Sequence, residues 1–374
     1  MKKFITVYDR YIFTQVLVTT IVAILLFTIV WIAPEMLLST IKKVLNGIYT
    51  PQTGLMVLLY EIPQILGKAF PVGLLLGSLF TFDKLSKDSE LTIFRAVGMS
   101  FFRILRPLLV LSLIITWLCF ITYDQLIPYS CQKLQEIKGD RSLTQYIYTQ
   151  KDEKNNPKQA VVVSKYFKGK MSNVIVLDFA DTIYNDLHGL ENVMVAEKGK
   201  MGKTKDGTPC WNLYNIASYD INEDGIFKIV KKVKHKDILV GDASKNAYTI
   251  MINSTKKDRE INNKDLRNYV KLLKKENLDE DYRLMLNKYF QRYLHPFVCV
   301  LLAIMGCLLG FSKPREQKLI GFTIAIGCIF VYYITLPFFD LLAEKGVLHP
   351  LICAAFPPLA FLGAIVAFYK SKDL

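Results

Sequence analysis

Residues 87–100 read KDSELTIFRAVGMS. Acids at Asp88 and Glu90 sit where a helix N-terminus favours negative charge, and Ser86 is placed to cap it. Arg95 falls near the far end, and Gly98 supplies the left-handed stop that ends many helices. Leu91, Phe94 and Val97 recur at helical spacing and share a face. A carboxylate and a guanidinium flanking an apolar stripe are suited to oriented recognition rather than to bond making. Two uses fit the residues: a helix lying on lipid, or one docking in the groove of a soluble partner.

The other notable charges are lysines. Lys42 and Lys43 lie just past a first apolar run. Lys68 stands inside a second, Leu55 to Phe82, which is also interrupted by Glu61. A lysine within a membrane span costs about 3 kcal/mol on insertion scales and usually faces a cavity or a partner. Pro63 and Pro71 flank Lys68 and can open the helix locally. The readings are a phosphate contact on a cavity wall, a pairing with Glu61 two turns away, or snorkelling to the interface.

Material for catalysis is sparse. The chain has 4 histidines in 374 residues, with no His pair at i, i+4, no serine nucleophile elbow and no metal-ligand spacing. GKMGKT (Gly199 to Thr204) resembles a phosphate loop, but Glu197 stands where that motif needs its first glycine. No catalytic residue, metal or cofactor is therefore expected in this chain. Five cysteines (Cys119, Cys299, Cys307, Cys328, Cys353) fall in apolar runs as small core residues; Cys131 and Cys210 fall in the polar region, where pairing stays open. The net charge of +14 is spread over loops and a polar region, which argues against nucleic-acid binding.

These residues are positioned by six apolar runs: Tyr11 to Ala33, Leu55 to Phe82, Pro107 to Tyr123, Tyr293 to Ser312, Leu319 to Phe339 and Gly346 to Tyr369. A spanning helix needs roughly 20 apolar residues, so the third run needs its flanks and the second is the weakest. The first run exceeds a signal-peptide core and is expected to be retained as an anchor. With the N-terminus cytoplasmic, the inner segments hold Lys2, Lys3, Arg10, Lys84, Lys87, Arg95, Arg103, Arg106, Lys313, Arg315, Lys318, Lys370 and Lys372. The short outer segments hold only Lys42, Lys43 and Lys345. Both termini are thus expected in the cytoplasm and the polar region across the membrane.

That region reads as β between residues 143 and 252, in QAVVVSKYF, NVIVLDFA, NVMVAEKG, WNLYNIASYDI and AYTIMI, and as helix from Asn263. KIVKKVKHK (Lys228 to Lys236) fits either a basic binding strand or a lysine-protected sheet edge, with the edge reading favoured. The expected layout is spans one to three over 1–129 with a cytoplasmic helix at about 86–98. A β-jelly-roll-like domain over 130–262 follows, then a helical connector over 263–292 and spans four to six over 293–374.

YDRYIF (Tyr8 to Phe13), FPVGLLLGSLFTFDKLSKDSELTIFRAVGMS (Phe70 to Ser100), YFQRYLHPF (Tyr289 to Phe297) and GVLHPLICAAFPPLAF (Gly346 to Phe361) resemble the lipopolysaccharide-export permease family, the LptF/LptG type. The chain departs from that family's pattern at Pro358, where Asn is usual, and in carrying Lys68. The resemblance implies six spans with a periplasmic jelly-roll between the third and fourth, in the bacterial inner membrane. It implies a second permease (a paralogue or the same chain), a dimeric cytoplasmic ABC ATPase that holds the ATP and Mg, and periplasmic bridge proteins. It implies a cargo of lipopolysaccharide or a related phosphorylated glycolipid. Asp88, Glu90, Leu91, Phe94, Arg95 and Gly98 then form the ATPase-coupling segment, with Glu90 in the family's acidic position. Lys42 and Lys43 take the place of basic residues that hold lipid phosphates, and Lys68 is added to them as a cavity-wall cation. It also places a lateral gate along the first and fifth spans. The alternatives are another ABC-type permease or mechanotransmitter, or a membrane-anchored β domain that binds a ligand.

Overall fold

The computed structural model describes residues 6–32, 36–138, 146–151, 157–167, 170–184, 187–203, 209–221, 227–238, 244–254, 256–311 and 319–371. Of the cations assigned above to the cytoplasmic side, Lys2, Lys3, Lys313, Arg315, Lys318 and Lys372 lie outside these residues. Compactness divides the chain into two units, one of Met1–Ile137, Asp258–Arg267 and Glu280–Leu374, the other of Lys138–Lys257 and Asn268–Asp279.

Among the described residues six helices are long and apolar enough to cross a membrane, and they belong to the first unit. They are α1 (Val7–Ile32), α3 (Pro51–Lys87), α5 (Phe101–Ile121) continuing through a π turn (Thr122–Leu126) into α6 (Ile127–Lys138), α9 (Asp279–Gly310), α10 (Leu319–Glu344) and α11 (Pro350–Ser371). Two shorter helices, α2 (Leu38–Leu45) and α4 (Glu90–Ala96), flank α3 in sequence. A backbone in lipid must satisfy its own polar groups, which is why each apolar run closes into a helix.

The weakest run in hydropathy becomes the central helix. α3 is 37 residues long, begins at the Thr50 cap with Pro51 in its first turn, and passes through Pro63 and Pro71 without a break. It is the most buried of the six. One face (Leu74, Phe82, Leu85) packs with Ile12 and Val16 of α1 and with Ile104, Leu108 and Leu111 of α5. The other (Leu75, Leu79) packs with Val298 and Leu302 of α9, Tyr332 of α10 and Phe361 of α11. Small residues permit the approach: a Cβ on Gly306 of α9 would stand 2.3 Å from the Leu75 carbonyl oxygen, and one on Gly77 of α3 2.6 Å from Thr20 Cα. α10 is the least buried of the six, with Phe330, Val331, Ile334 and Phe338 exposed.

The second unit is built on one antiparallel sheet in neighbour order: β1 (Tyr146–Lys151), β2 (Pro157–Phe167), β3 (Lys170–Tyr184), β4 (Leu187–Lys203), β5 (Pro209–Ile221) and β6 (Phe227–Ile238). Its strands bury alternate residues, such as Val161 and Val163, Val174 and Val176, Met194 and Ala196, Trp211 and Leu213. Six spans and an antiparallel β domain between the third and fourth stand as expected, with the strands joined as a simple meander.

Two local readings are corrected, AYTIMI and the start of the helix after α3. AYTIMI is not a strand but part of α7 (Ser244–Ser254), which touches both β1 and β5 and buries Ile250 and Met251. Its β-branched composition yields to the sheet's need for a cover on its apolar face. GKMGK, up to Lys203, lies within β4, in keeping with the rejection of the phosphate-loop motif. Ser86 caps nothing: it sits inside α3, buried, and donates its hydroxyl to the Gly310 carbonyl at 3.1 Å. That buried acceptor lets α3 run to Lys87 and shortens the expected 86–98 helix to Glu90–Ala96. KIVKKVKHK does form the edge strand, β6, with Lys231, Lys232, Lys234 and Lys236 exposed. α8 (Asn263–Lys275) and α9 are the helices expected from Asn263 onward, and α9 carries the connector into the fourth span unbroken.

Candidate functional site: a docked short helix and a polar cavity beside Lys68

The turn between α3 and α5 has more structure than a plain connection needs. Ser89 adopts the left-handed conformation (φ 62°) and swings the chain out of α3, so that α4 starts at Glu90 in a new direction. Gly98, at φ 85°, ends the segment in the conformation expected of it. Ser100 caps α5, accepting from the Arg103 amide.

The faces of α4 differ from the stripe read in the sequence. Leu91 is buried and Phe94 half-buried, both against the core of α1, α3 and α5, and Phe94 meets the Tyr8 ring edge-on at 4.7 Å. Val97, assigned to the same stripe, is instead 75% exposed, together with Ile93 at 58%. A stripe at spacing three drifts around a 3.6-residue helix, so its last member leaves the buried face. Glu90 is held from inside the chain: its Oε1 accepts from the Tyr11 hydroxyl at 2.9 Å. Asp88 and Arg95 are exposed. Next to them, Arg103 of α5 donates to Asp9 of α1 at 2.8 Å and to Thr6 Oγ1 at 3.1 Å. The YDRYIF block therefore forms the seat of α4, a role its composition alone did not disclose.

The lysines occupy two places. Lys42 and Lys43 lie in the last turn of α2, Lys42 exposed and Lys43 with its ammonium 5.3 Å from the Tyr49 ring. Lys68 lines a cavity of about 340 Å³ with, among others, Tyr123, Arg259, Lys288, Arg292, His295, Tyr332 and Asp340. Its ammonium stands 5.0 Å from the Trp31 ring and its carbonyl accepts from the Tyr333 hydroxyl at 2.9 Å. Lys288 forms a salt bridge with Asp340, which also accepts from Asn287 and Gln291, each at 2.8 Å. Arg292 donates to Asn263 Oδ1 at 3.1 Å and to the carbonyls of Ile261 and Asp258. His295 Nδ1 is bonded to the Tyr332 hydroxyl. Sequence reading found only Lys68 of this set. The signal available for Lys288, Arg292, His295, Tyr332 and Asp340 was polar residues inside the register of α9 and α10; Tyr123 and Arg259 lie in short turns outside those helices.

None of the seven cysteines, Cys131 and Cys210 included, is joined in a disulfide. Cys210 is buried in the β unit, and burial pushes its thiol up from the usual range. Among the described residues no cluster of His, Cys, Asp or Glu has the make-up of a metal site.

A bundle of six spanning helices with an antiparallel β domain inserted between the third and fourth defines a multi-pass membrane protein with a folded extramembrane domain. The family model for the lipopolysaccharide export system permease LptF/LptG matches residues 10–371, nearly the whole chain. The protein belongs to that family, and so to the permeases of lipopolysaccharide export. No curated protein matches the chain individually.

Proposed function

We propose that the chain is the permease subunit of an ABC transporter that extracts lipopolysaccharide, or a related phosphorylated glycolipid, from the inner membrane and hands it to a periplasmic bridge. Energy comes from a separate cytoplasmic ATPase dimer, which holds the ATP and Mg, so this chain is not itself an enzyme. It works paired with a second permease, a paralogue or another copy of itself. Both termini and α4 face the cytoplasm, in keeping with the lysine and arginine asymmetry of the short segments.

The observation that carries this reading is the seating of α4. Leu91, Phe94 and Glu90 tie it to α1 and the core, while Asp88, Ile93, Arg95 and Val97 face outward. A partner gripping the outward face would move α4 as a rigid piece and drag the start of α1 with it through Tyr8 and Tyr11. A carboxylate has about four acceptor positions, so Glu90 can keep Tyr11 and still receive a basic residue of the ATPase. Gly98 permits the reversal that returns the chain to α5. On the cargo side, Lys42 and Lys43 offer cations to headgroup phosphates from α2, and Lys68 offers a third from the cavity wall.

The test is to tag the protein, extract it gently from native membranes and identify co-purifying proteins and lipids by mass spectrometry, for wild type and Glu90→Lys. A soluble ATPase and a phosphorylated glycolipid with the wild type, and loss of the ATPase alone in the variant, are expected. Absence of an ATPase from the wild type would sink the coupling role.

A further inference from the structure

A knot of polar groups joins the start of α1 to the start of α5. Thr6 and Asp9 form a capping box on α1: the Thr6 amide donates to Asp9 Oδ2 at 2.9 Å, and the Asp9 amide donates back to Thr6 Oγ1 at 3.4 Å. Oδ2 also accepts from the Thr6 hydroxyl at 2.8 Å and from Arg103 Nη2 at 2.8 Å. Nη2 reaches Thr6 Oγ1 as well, at 3.1 Å. The cap of α1 is therefore also the anchor of α5. Only residues 97–100 separate α4 from α5, so this anchor also restricts where α4 can lie. The side chains of α4 reach the same stretch of α1, Phe94 to Tyr8 and Glu90 to Tyr11.

The knot is unevenly satisfied. Three donors converge on Oδ2, while Asp9 Oδ1 is buried and accepts from no group among the described residues. Arg103 Nη1 and the Tyr8 hydroxyl are buried and likewise without a hydrogen-bond partner there. A carboxylate and a guanidinium pair best as a fork, with two parallel N–H···O bonds. Here the fork is half made, and the idle atom on each side belongs to the same ion pair. Buried polar atoms without partners are costly, so hydrogen bonding favours an arrangement that brings Nη1 to Oδ1. The pair is shielded, with side-chain exposures of 13% for Asp9 and 29% for Arg103, so solvent screens it only in part.

We propose that Asp9 and Arg103 are positioning residues for α4: a clasp, half closed in this structure, that closes into a two-armed fork when a partner loads the outward face of α4. Ser89 and Gly98, both in the left-handed conformation, bound α4 on either side. A push on Ile93 or Val97 is therefore passed to α1 through Tyr8 and Tyr11, and to α5 through residues 97–100. The two halves of the clasp lie on those two helices. Partner affinity and clasp closure are then linked, and each strengthens the other by the same factor. The inference rests on the reading of α4 as the segment that docks the ATPase, and adds to it the device that holds that segment ready.

The experiment uses the full chain in nanodiscs, alone and with the co-purified ATPase, as wild type, Asp9→Asn, Arg103→Gln, Arg103→Lys, the Asp9→Asn/Arg103→Gln double variant and the control Lys345→Gln. Hydrogen exchange read by mass spectrometry follows the amides of α1 and α4 and, as a check on the fold, those of α9 and the sheet. Without ATPase, Asp9→Asn and Arg103→Gln are expected to speed exchange in α4 about tenfold, with α9 and the sheet unchanged. ATPase retention should fall about tenfold in the same two variants. The double variant should be no worse than either single change, and Arg103→Lys should recover part of the loss. Adding ATPase should slow exchange in the first two turns of α1 in wild type and in the control, but not in Arg103→Gln. Exchange in α4 equal to wild type in both single variants overturns the proposal. So does equally faster exchange in α4, α9 and the sheet, which marks a merely structural pair, and so does faster exchange in α4 with undiminished ATPase retention. Faster exchange in α4 alone, when even the wild type retains no ATPase, supports the clasp and sinks the docking reading instead.

Discussion

At the scale of single residues, the membrane unit depends on a few contacts that tolerate little change. Gly306 approaches the Leu75 carbonyl so closely that a methyl group cannot enter without moving α9 from α3. Gly306→Ala is expected to destabilise by about 1–3 kcal/mol, read as a lower thermal unfolding midpoint in detergent. Gly363→Ala, where a Cβ meets nothing within 4 Å, should leave that midpoint unchanged. Asp340 makes a second contrast. Its pair with Lys288 is mostly buried, with side-chain exposures of 17% and 23%, and breaking one side strands the other charge. Asp340→Leu should cost about 3–5 kcal/mol. The exposed Lys345–Glu280 pair (57% and 66%) should cost no more than about 1 kcal/mol when Lys345 is replaced by Gln. Comparable midpoints for the two variants would show that Asp340 does not hold the polar cluster together.

At the scale of elements, the informative features are a helix break and a sheet edge. Ser89 pays a conformational penalty in the left-handed region, where glycine has none. Ser89→Gly is expected to keep ATPase association and raise stability by up to about 1 kcal/mol, whereas Ser89→Val should misplace α4 and lose the ATPase in the same pull-down. β6 presents lysines at an otherwise open edge. Replacing Lys232 and Lys234 together by Val should increase self-association of the purified full chain, seen by light scattering, if the lysines guard that edge. The helical assignment of AYTIMI could not have been reached from its own residues. Ile250 and Met251 are buried because the sheet's apolar face needs a cover, and that need arises only after strands far apart in sequence have paired.

At the scale of the molecule, the charge asymmetry between short segments predicts which side each loop faces. Lys43→Cys should react with an impermeant maleimide in intact spheroplasts, and Lys84→Cys only after permeabilisation; the reverse pattern would invert the topology. Lys43 and Lys84 are at least partly exposed, whereas six of the seven native thiols are buried, so background labelling should be low. The exposed apolar surfaces of α1 and α10 are compatible with lipid and with a second permease alike, and the lateral gate expected along these two spans remains a proposal.

How far the sequence alone reached follows from what each feature depends on. Spans were legible because hydrocarbon forces every long apolar run into a helix, whatever its neighbours do. Most strands were legible because alternation records one buried face. The short helix after α3 was legible in Glu90, Gly98 and the block around them. Only the tertiary structure decided that Leu91 and Phe94 point inward while Ile93 and Val97 point out, that Tyr11 holds Glu90, and that Ser86 belongs to α3. Only it brought Lys68, Arg259, His295 and Asp340 to one cavity, because those residues come from four separate elements. Their meeting is set by which small residues let α3, α9 and α10 approach, a packing choice that no local pattern encodes.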